Sequence, residues 1–395
     1  MLLKNIHIVD NQRDLLGDVR IKDELITEVG ANLSTENEEI IDFSGKNFYL
    51  LPAFTDLHVH FRDPGLTYKE DVNTGSHAAI HGGYTAVNLM PNTKPTCSSM
   101  EIVKDVERRV EEIGLIYANQ TLSMTKNLEG KDIEHLKALK KGEILFVTDD
   151  GKGVQDDHLM EEIFNICKEK DITIMCHAED SRYSATDMRI AENNMTFRDI
   201  KLCEKTNGSI HFCHVSTKEA IDAIAEAQAR GVRVSCEVTP HHLSATGDEV
   251  NHYRVNPPFR EKEDIDALVK AIQDGVVCAI ATDHAPHTAE DKRNGSPGMV
   301  GLEVAFPLCY TKLVKGGFIS LQKLVQLMST NPSEMMKLNK GEIKPGKLAD
   351  LVVADLDNPF IINAEEFQSK GRNTPFNGRK VFGKIVHTIS RGRVY

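Results

Sequence analysis

The sequence predicts an α/β chain: a (β/α)8 TIM-like barrel joined to a small β-sandwich domain that both termini build. Eight strand-like apolar runs alternate with helical patterns over about 270 residues, the order expected when parallel strands close and helices cover them. The two ends of the chain switch to short strand-like runs separated by Gly, Asn and Pro turns. No GxGxxG fingerprint follows any strand, which argues against the alternative of a doubly wound sheet.

In chain order, the first terminal region, 1–48, carries LLKNIHIVD and EIIDFSG. The barrel-type runs are 50–60, 84–90, 115–122, 143–149, 172–177, 209–216, 232–240 and 276–284. Helical patterns lie between them, among them 98–114 and 216–231. The latter reads as capped by a Ser216/Glu219 box and stopped at Gly231. A helix over 321–339 leads back through the turn Lys344-Pro345-Gly346 to LADLVVADL and KIVHTISRGRVY. The expected division is therefore a barrel over 49–339 and a composite β domain from 1–48 with 340–395.

The 395 residues are 40% hydrophobic and 27% charged, which suits a folded globular chain with a real core. A net charge of −12 argues against a nucleic-acid partner needing a basic face. No apolar run reaches the length of a membrane span, and the N-terminus has no secretory pattern. The eight cysteines form no CxxC pair and several sit in apolar runs, as reduced buried thiols do, so a cytoplasmic location is expected.

The chemistry concentrates at strand ends. In Asp56-Leu-His58-Val-His60 a period of two puts all three polar side chains on one face. A lone HxH is a weak signal. Four further strand ends carry Asp149-Asp150, His177, His214 and Asp283, and the C-terminal ends of barrel strands are where active sites lie. Four histidines with carboxylates point to a metal site, with Zn²⁺ favoured and Mn²⁺ or Co²⁺ as alternatives. Cys176 and Cys213 each precede a histidine, so alternation directs both toward the helices.

The motifs TDLHVHFRDPG, LMPNT, TDDGKGVQ, CHAED, CHVSTKEA, CEVTPHHL, RVNPPFR and ATDHAPH, with GEIKPGKLADLVV, cover nearly the whole chain. Together they resemble the amidohydrolase superfamily, and within it the bacterial type I zinc dihydroorotases. The resemblance implies one or two zinc ions, two being favoured, with His58 and His60 on one and His177 and His214 on the other. Asp150 and a hydroxide would bridge them, and Asp283 would bind the first while moving protons as the catalytic residue. Asp149 or a modified Lys152 are the alternatives to Asp150, because many cyclic amidohydrolases use a carbamylated lysine there.

For the substrate, dihydroorotate or carbamoyl aspartate, the resemblance implies contacts from His60, Arg62, Asn92, Asn256, His287, Pro297 and Gly298. A guanidinium fork suits a carboxylate. Taken alone, Arg62 reads better as a surface ion pair with Asp63 or Glu70. His241 and His242 read as supporting or structural residues. The segments 178–213 and 288–297 are shorter than the type I pattern. A homodimer and an association with aspartate transcarbamoylase are the expected partners. Two rivals remain: another cyclic-amide hydrolase, which should show a bridging lysine and lack Arg62 with Asn92, and a dead scaffold, which should have lost ligands.

Overall fold

The computed structural model describes Met1–Tyr395. At the N-terminus, β1 (Leu2–Val9), β2 (Asp14–Lys22), β3 (Leu25–Gly30), β4 (Ile40–Asp42) and β5 (Phe48–Pro52) precede eight further strands. These are β6 (Phe54–Val59), β7 (Tyr84–Leu89), β8 (Tyr117–Gln120), β9 (Phe146–Val147), β10 (Thr173–Cys176), β11 (Ile210–Phe212), β12 (Val234–Val238) and β13 (Ala279–Ile280). The chain ends with β14 (Leu351–Asp355), β15 (Phe360–Ile361), β16 (Lys380–Val381), β17 (Lys384–Ser390) and β18 (Arg393–Val394).

Strands β6 to β13 pair only in parallel, as β6-β7-β8 and β13-β12-β11-β10-β9. Isolated parallel bridges at Leu122–Val147 and Val59–His284 link the edges of these two sheets. Buried on both faces, such strands read as unbroken apolar runs, and every residue of β6 and β7 is buried. The helix Met100–Ile113 shows how the cover is specified. Ser99 caps it, Val103, Val106 and Val110 form its buried stripe, and Gly114 ends it in the left-handed region. Each such valine contributes about 1.5–3 kcal/mol by leaving water.

Both termini share one sheet, ordered β18-β17-β14-β5-β1-β2-β3 with β4 also on β1. Instead of two separate sandwich layers, the strands hydrogen-bond as a single branched sheet. Opposite β2, β1 pairs with β4 through Leu2–Lys4 and with β5 through His7–Ile8. The branch follows a register shift in β1 at Asn5, whose φ is +56°.

Three local expectations change. The run 50–60 is two strands, not one: β5 pairs antiparallel with β14 in the terminal sheet, and β6 begins only after Pro52 and Ala53. The cap of the helix Lys218–Ala229 is Thr217, not a Ser216/Glu219 box, because the buried Glu192 carboxylate takes both Ser216 and the Thr217 N–H. The 321–339 region forms two short α segments around a π turn at Gln326–Thr330, ahead of Pro332, which cannot donate back into the preceding turn.

Between β14 and β17 the chain leaves the terminal sheet. Ile362, Phe367 and Phe376 of this excursion form one buried cluster with Val255, Met299, Val300 and Leu308. That packing carries residues 369–376 to the loop after β13.

Candidate active site

A cavity of about 220 Å³ opens at the C-terminal ends of the parallel strands. Of the expected site residues, His60, Arg62, Asn92, Asp150, His177, His214, Asn256, Asp283, His287, Pro297 and Gly298 all line it, and His58 lies fully buried beneath.

Asp150 is at the centre. Its Oδ1 lies 3.3 Å from His58 Nε2, 3.7 Å from His177 Nδ1 and 3.9 Å from His214 Nε2, while Oδ2 is 3.5 Å from His60 Nε2. Asp283 Oδ1 is 3.0 Å from His60 Nε2 and 3.6 Å from His58 Nε2. His177 Nδ1 and His214 Nε2 face each other at 2.9 Å. Burial alone would push both carboxyls up, but the imidazoles His58 and His214 around Asp150, and His60 and His58 around Asp283, hold both well below the usual range. Asp149 points away and accepts from the Thr125 N–H at 2.9 Å and from its hydroxyl. Lys152 is exposed.

Three of the rings donate a proton away from this centre. His58 Nδ1 bonds Glu237 at 3.1 Å, His60 Nδ1 bonds Asn92 Oδ1 at 2.8 Å, and His177 Nε2 bonds Glu179 at 2.8 Å. Each outer partner fixes a tautomer and leaves the inner nitrogen lone pair free. His58 Nε2 is buried and without a hydrogen-bond partner. A set of converging imidazole nitrogens and carboxylate oxygens, one nitrogen orphaned, is a donor set that fits a divalent metal.

Sequence reasoning missed Glu179 and Glu237. The signal for Glu237 was a carboxylate inside a parallel strand, where apolar residues belong. It also accepts from His211 Nε2 at 3.0 Å, and these two imidazoles outweigh burial to hold its carboxyl at about 2.

Arg62, His214 and Asp283 all adopt positive φ, at +58°, +37° and +49°. Such backbone costs about 1–3 kcal/mol per residue and concentrates at functional sites. It also corrects one expectation. Cys176 does face a helix, with Sγ 3.1 Å from Asp199, but Cys213 points inward beside His58 and Glu237. Cys213 keeps the inward face of His211 two residues earlier, and the left-handed turn at His214 brings that ring inward as well.

The other end of the cavity is cationic. Arg62 pairs with neither Asp63, which binds Arg109 at 2.8 Å, nor Glu70, which accepts from Thr74 and Ser369. Its Nη2 stands 3.3 Å from His287 Nε2, and its Nε is buried without a partner. Asn92 is already engaged, donating from Nδ2 to Asp150 Oδ2 at 2.9 Å. Asn256 donates to Glu179 at 2.8 Å, which leaves its Oδ1 buried and free to accept. His242 bonds Thr239 and the Pro257 carbonyl, and burial holds its imidazole down to about 4; His241 is buried beside it.

Asn373, on the C-terminal excursion, holds the loop that carries His287 and Gly298. Its Oδ1 accepts from the His287 N–H at 3.0 Å, and its Nδ2 donates to the Ala285 and Gly298 carbonyls at 3.0 and 3.2 Å. Gly298 has φ +122°, and a Cβ there would lie 2.7 Å from Ala285 Cβ. Nothing in the sequence marked Asn373.

Residues 49–395 match the amidohydrolase family. The chain belongs to that family. Among amidohydrolases, a dihydroorotase of Clostridium botulinum (strain Eklund 17B / Type B) is 49% identical over 395 residues, covering 100% of this chain and 98% of that protein. A dihydroorotase of Bacillus subtilis (strain 168) is 38% identical over 418 residues, covering 100% and 97%. The solved dihydropyrimidinase from Brevibacillus agri NCHU1002 superposes with a TM-score of 0.87 at 25% identity, covering 100% of this chain and 94% of that one. Within the amidohydrolases, the chain groups with the dihydroorotases. No helix is long and apolar enough to cross a membrane.

Proposed function

We propose that this amidohydrolase interconverts N-carbamoyl-L-aspartate and (S)-dihydroorotate in pyrimidine biosynthesis, at a two-zinc site in one closed (β/α)8 barrel. The observation that carries the substrate assignment is the pair Arg62 and His287. They are nitrogen groups facing the cavity with no protein carboxylate between them, opposite the His/Asp cluster. A cyclic amide bearing a ring carboxylate satisfies both ends at once. Asn256 Oδ1 is the acceptor for a ring N–H.

His58, His60, His177, His214, Asp150 and Asp283 would hold the metals, with Asp150 between the two histidine pairs. Divalent cations bound there polarise the amide carbonyl and make a water nucleophilic near neutral pH. Asp283 Oδ1 accepts the proton of the attacking water and returns it to the departing ring nitrogen. Arg62 and His287 hold the carboxylate, which orients the ring so that its amide faces Asp150 and Asp283. Glu237, Glu179 and Asn92 keep the rings aimed inward throughout.

The same proposal includes a homodimer, association with aspartate transcarbamoylase, and the division expected at 1–48 with 340–395 against 49–339, its first boundary moved past Pro52 because β5 belongs to the terminal sheet. A cytoplasmic location is supported by eight free cysteines, seven of them buried. The decisive experiment combines metal analysis of the purified protein with dihydroorotate hydrolysis followed by ultraviolet absorbance. Zinc content of one to two per chain, turnover lost on chelation and restored by zinc, is the expected outcome. Full activity in a metal-free preparation, or equal turnover of dihydrouracil, would overturn it.

A further inference from the structure

His287 stands between two groups that can only donate. Arg62 Nη2 is 3.3 Å from its Nε2, and Lys69 Nζ is 3.3 Å from its Nδ1. An ammonium and a guanidinium have no acceptor to offer. The imidazole has one proton when neutral and two when charged, so at least one ring N–H must face a cation.

The two sides of the ring are unequal. Lys69 does not line the cavity; its side chain is only 12% exposed, and its other charged neighbour is Asp291 at 3.2 Å. A proton on Nδ1 would set N–H against N–H in a closed corner, with nothing to relieve the clash. A proton on Nε2 faces Arg62 across space that opens to the cavity, where an arriving anion can accept from both.

We propose that Lys69 is a positioning residue for anion recognition: by donating to His287 Nδ1 it holds the ring in the neutral tautomer whose Nε2–H joins Arg62 Nη2 around one ligand oxygen. The remaining charges agree. Burial first, then Arg62, Lys69 and Lys292, hold the imidazole down to about 3 against the opposing pull of Asp291. His287 is therefore a neutral donor at every working pH, and the positive charge of the subsite belongs to Arg62. The proposal rests on the carboxylate-bearing substrate class given above.

Two measurements test it separately from that reading. In protein labelled with ¹⁵N-histidine, the ring signals missing from His287→Asn should, in the parent protein, show an uncharged Nε2–H tautomer from pH 6 to 8. A charged ring, or Nδ1–H, in that range overturns the proposal whatever the substrate proves to be. In steady-state kinetics on the zinc-loaded enzyme, Lys69→Met should raise KM for dihydroorotate by about tenfold to a hundredfold, the worth of a charge-assisted hydrogen bond. Its kcat should fall far less, its metal content should stay at the parent level, and Lys69→Arg should recover most of the KM. The freed His287 of Lys69→Met should also begin to titrate closer to its ordinary range. An unchanged KM in Lys69→Met, or a loss confined to kcat and metal content, overturns the proposal. If the parent enzyme fails on dihydroorotate while the tautomer is as expected, the substrate reading falls and the role of Lys69 stands.

Discussion

At the inner end of the cavity Asp150, His177, His214 and Asp283 stand where parallel strands end, and one outer partner each aims the rings of His58, His60 and His177. At the outer end Arg62, His287 and Gly298 stand on loops, and His287 and Gly298 are tied by Lys69, Lys292 and Asn373, which come from three separate stretches of chain. Strand ends inherit their geometry from the parallel ladders. Loops have no such frame, so the molecule ties them with side chains, including one from the excursion between β14 and β17. On the proposed function the difference separates two properties: the inner end would govern the chemical step, and the outer end would govern which ring is accepted.

That separation can be broken. Asp283→Asn should lower kcat by about 10²–10⁴-fold while the preference for dihydroorotate over dihydrouracil persists. A near-normal rate would move the proton-transfer role to another residue. Arg62→Met should do the reverse. It should erase most of a preference worth about 2–5 kcal/mol, measured as the ratio of kcat/KM for dihydroorotate against dihydrouracil, hydantoin and allantoin, and leave metal content intact. If Arg62→Met keeps its preference, the carboxylate is recognised elsewhere.

A smaller effect sharpens the inner end. A glutamine at position 237 cannot accept from both His58 and His211, so Glu237→Gln should weaken zinc binding by about 10–100-fold. Competition against a chromogenic chelator measures this, and unchanged affinity would reduce Glu237 to packing.

The smallest effect lies between the two ends, where the buried Glu192 joins the segment after His214 to Arg260, at 2.9 Å, near Asn256. Burial pushes its carboxyl up, but Arg260 and Ser216 overcome this and hold it below its ordinary 4.5. A carboxyl depressed in the folded state stabilises above its unfolded value, and that contribution is lost as pH falls through the folded value. Glu192→Gln should therefore be less stable than the parent protein at pH 7, by about 1.5 kcal/mol. The gap between their urea midpoints should close as pH falls below about 4.5. A gap independent of pH would show that the charge of Glu192 contributes nothing.

What the sequence by itself determined is the part governed by local period. Alternating apolar runs marked the eight parallel strands. The polar residue at the end of each run marked Asp150, His177 and Asp283, because a strand's side chains alternate, and it marked His214 by its place at a strand end. Tertiary structure decided whatever depends on a backbone leaving that period or on residues far apart in the chain. Positive φ at His214 turned its ring inward beside Cys213, which already faces inward in step with His211, so two consecutive side chains share one face. Pairing with β14 split the run 50–60 into strands of two different sheets. Asn373 reached His287 from 86 residues away because buried Phe367 and Phe376 anchor the excursion beside Met299 and Val300. None of these has a short-range signature, since the free energy that enforces each comes from burial and hydrogen bonding that exist only once the chain has folded.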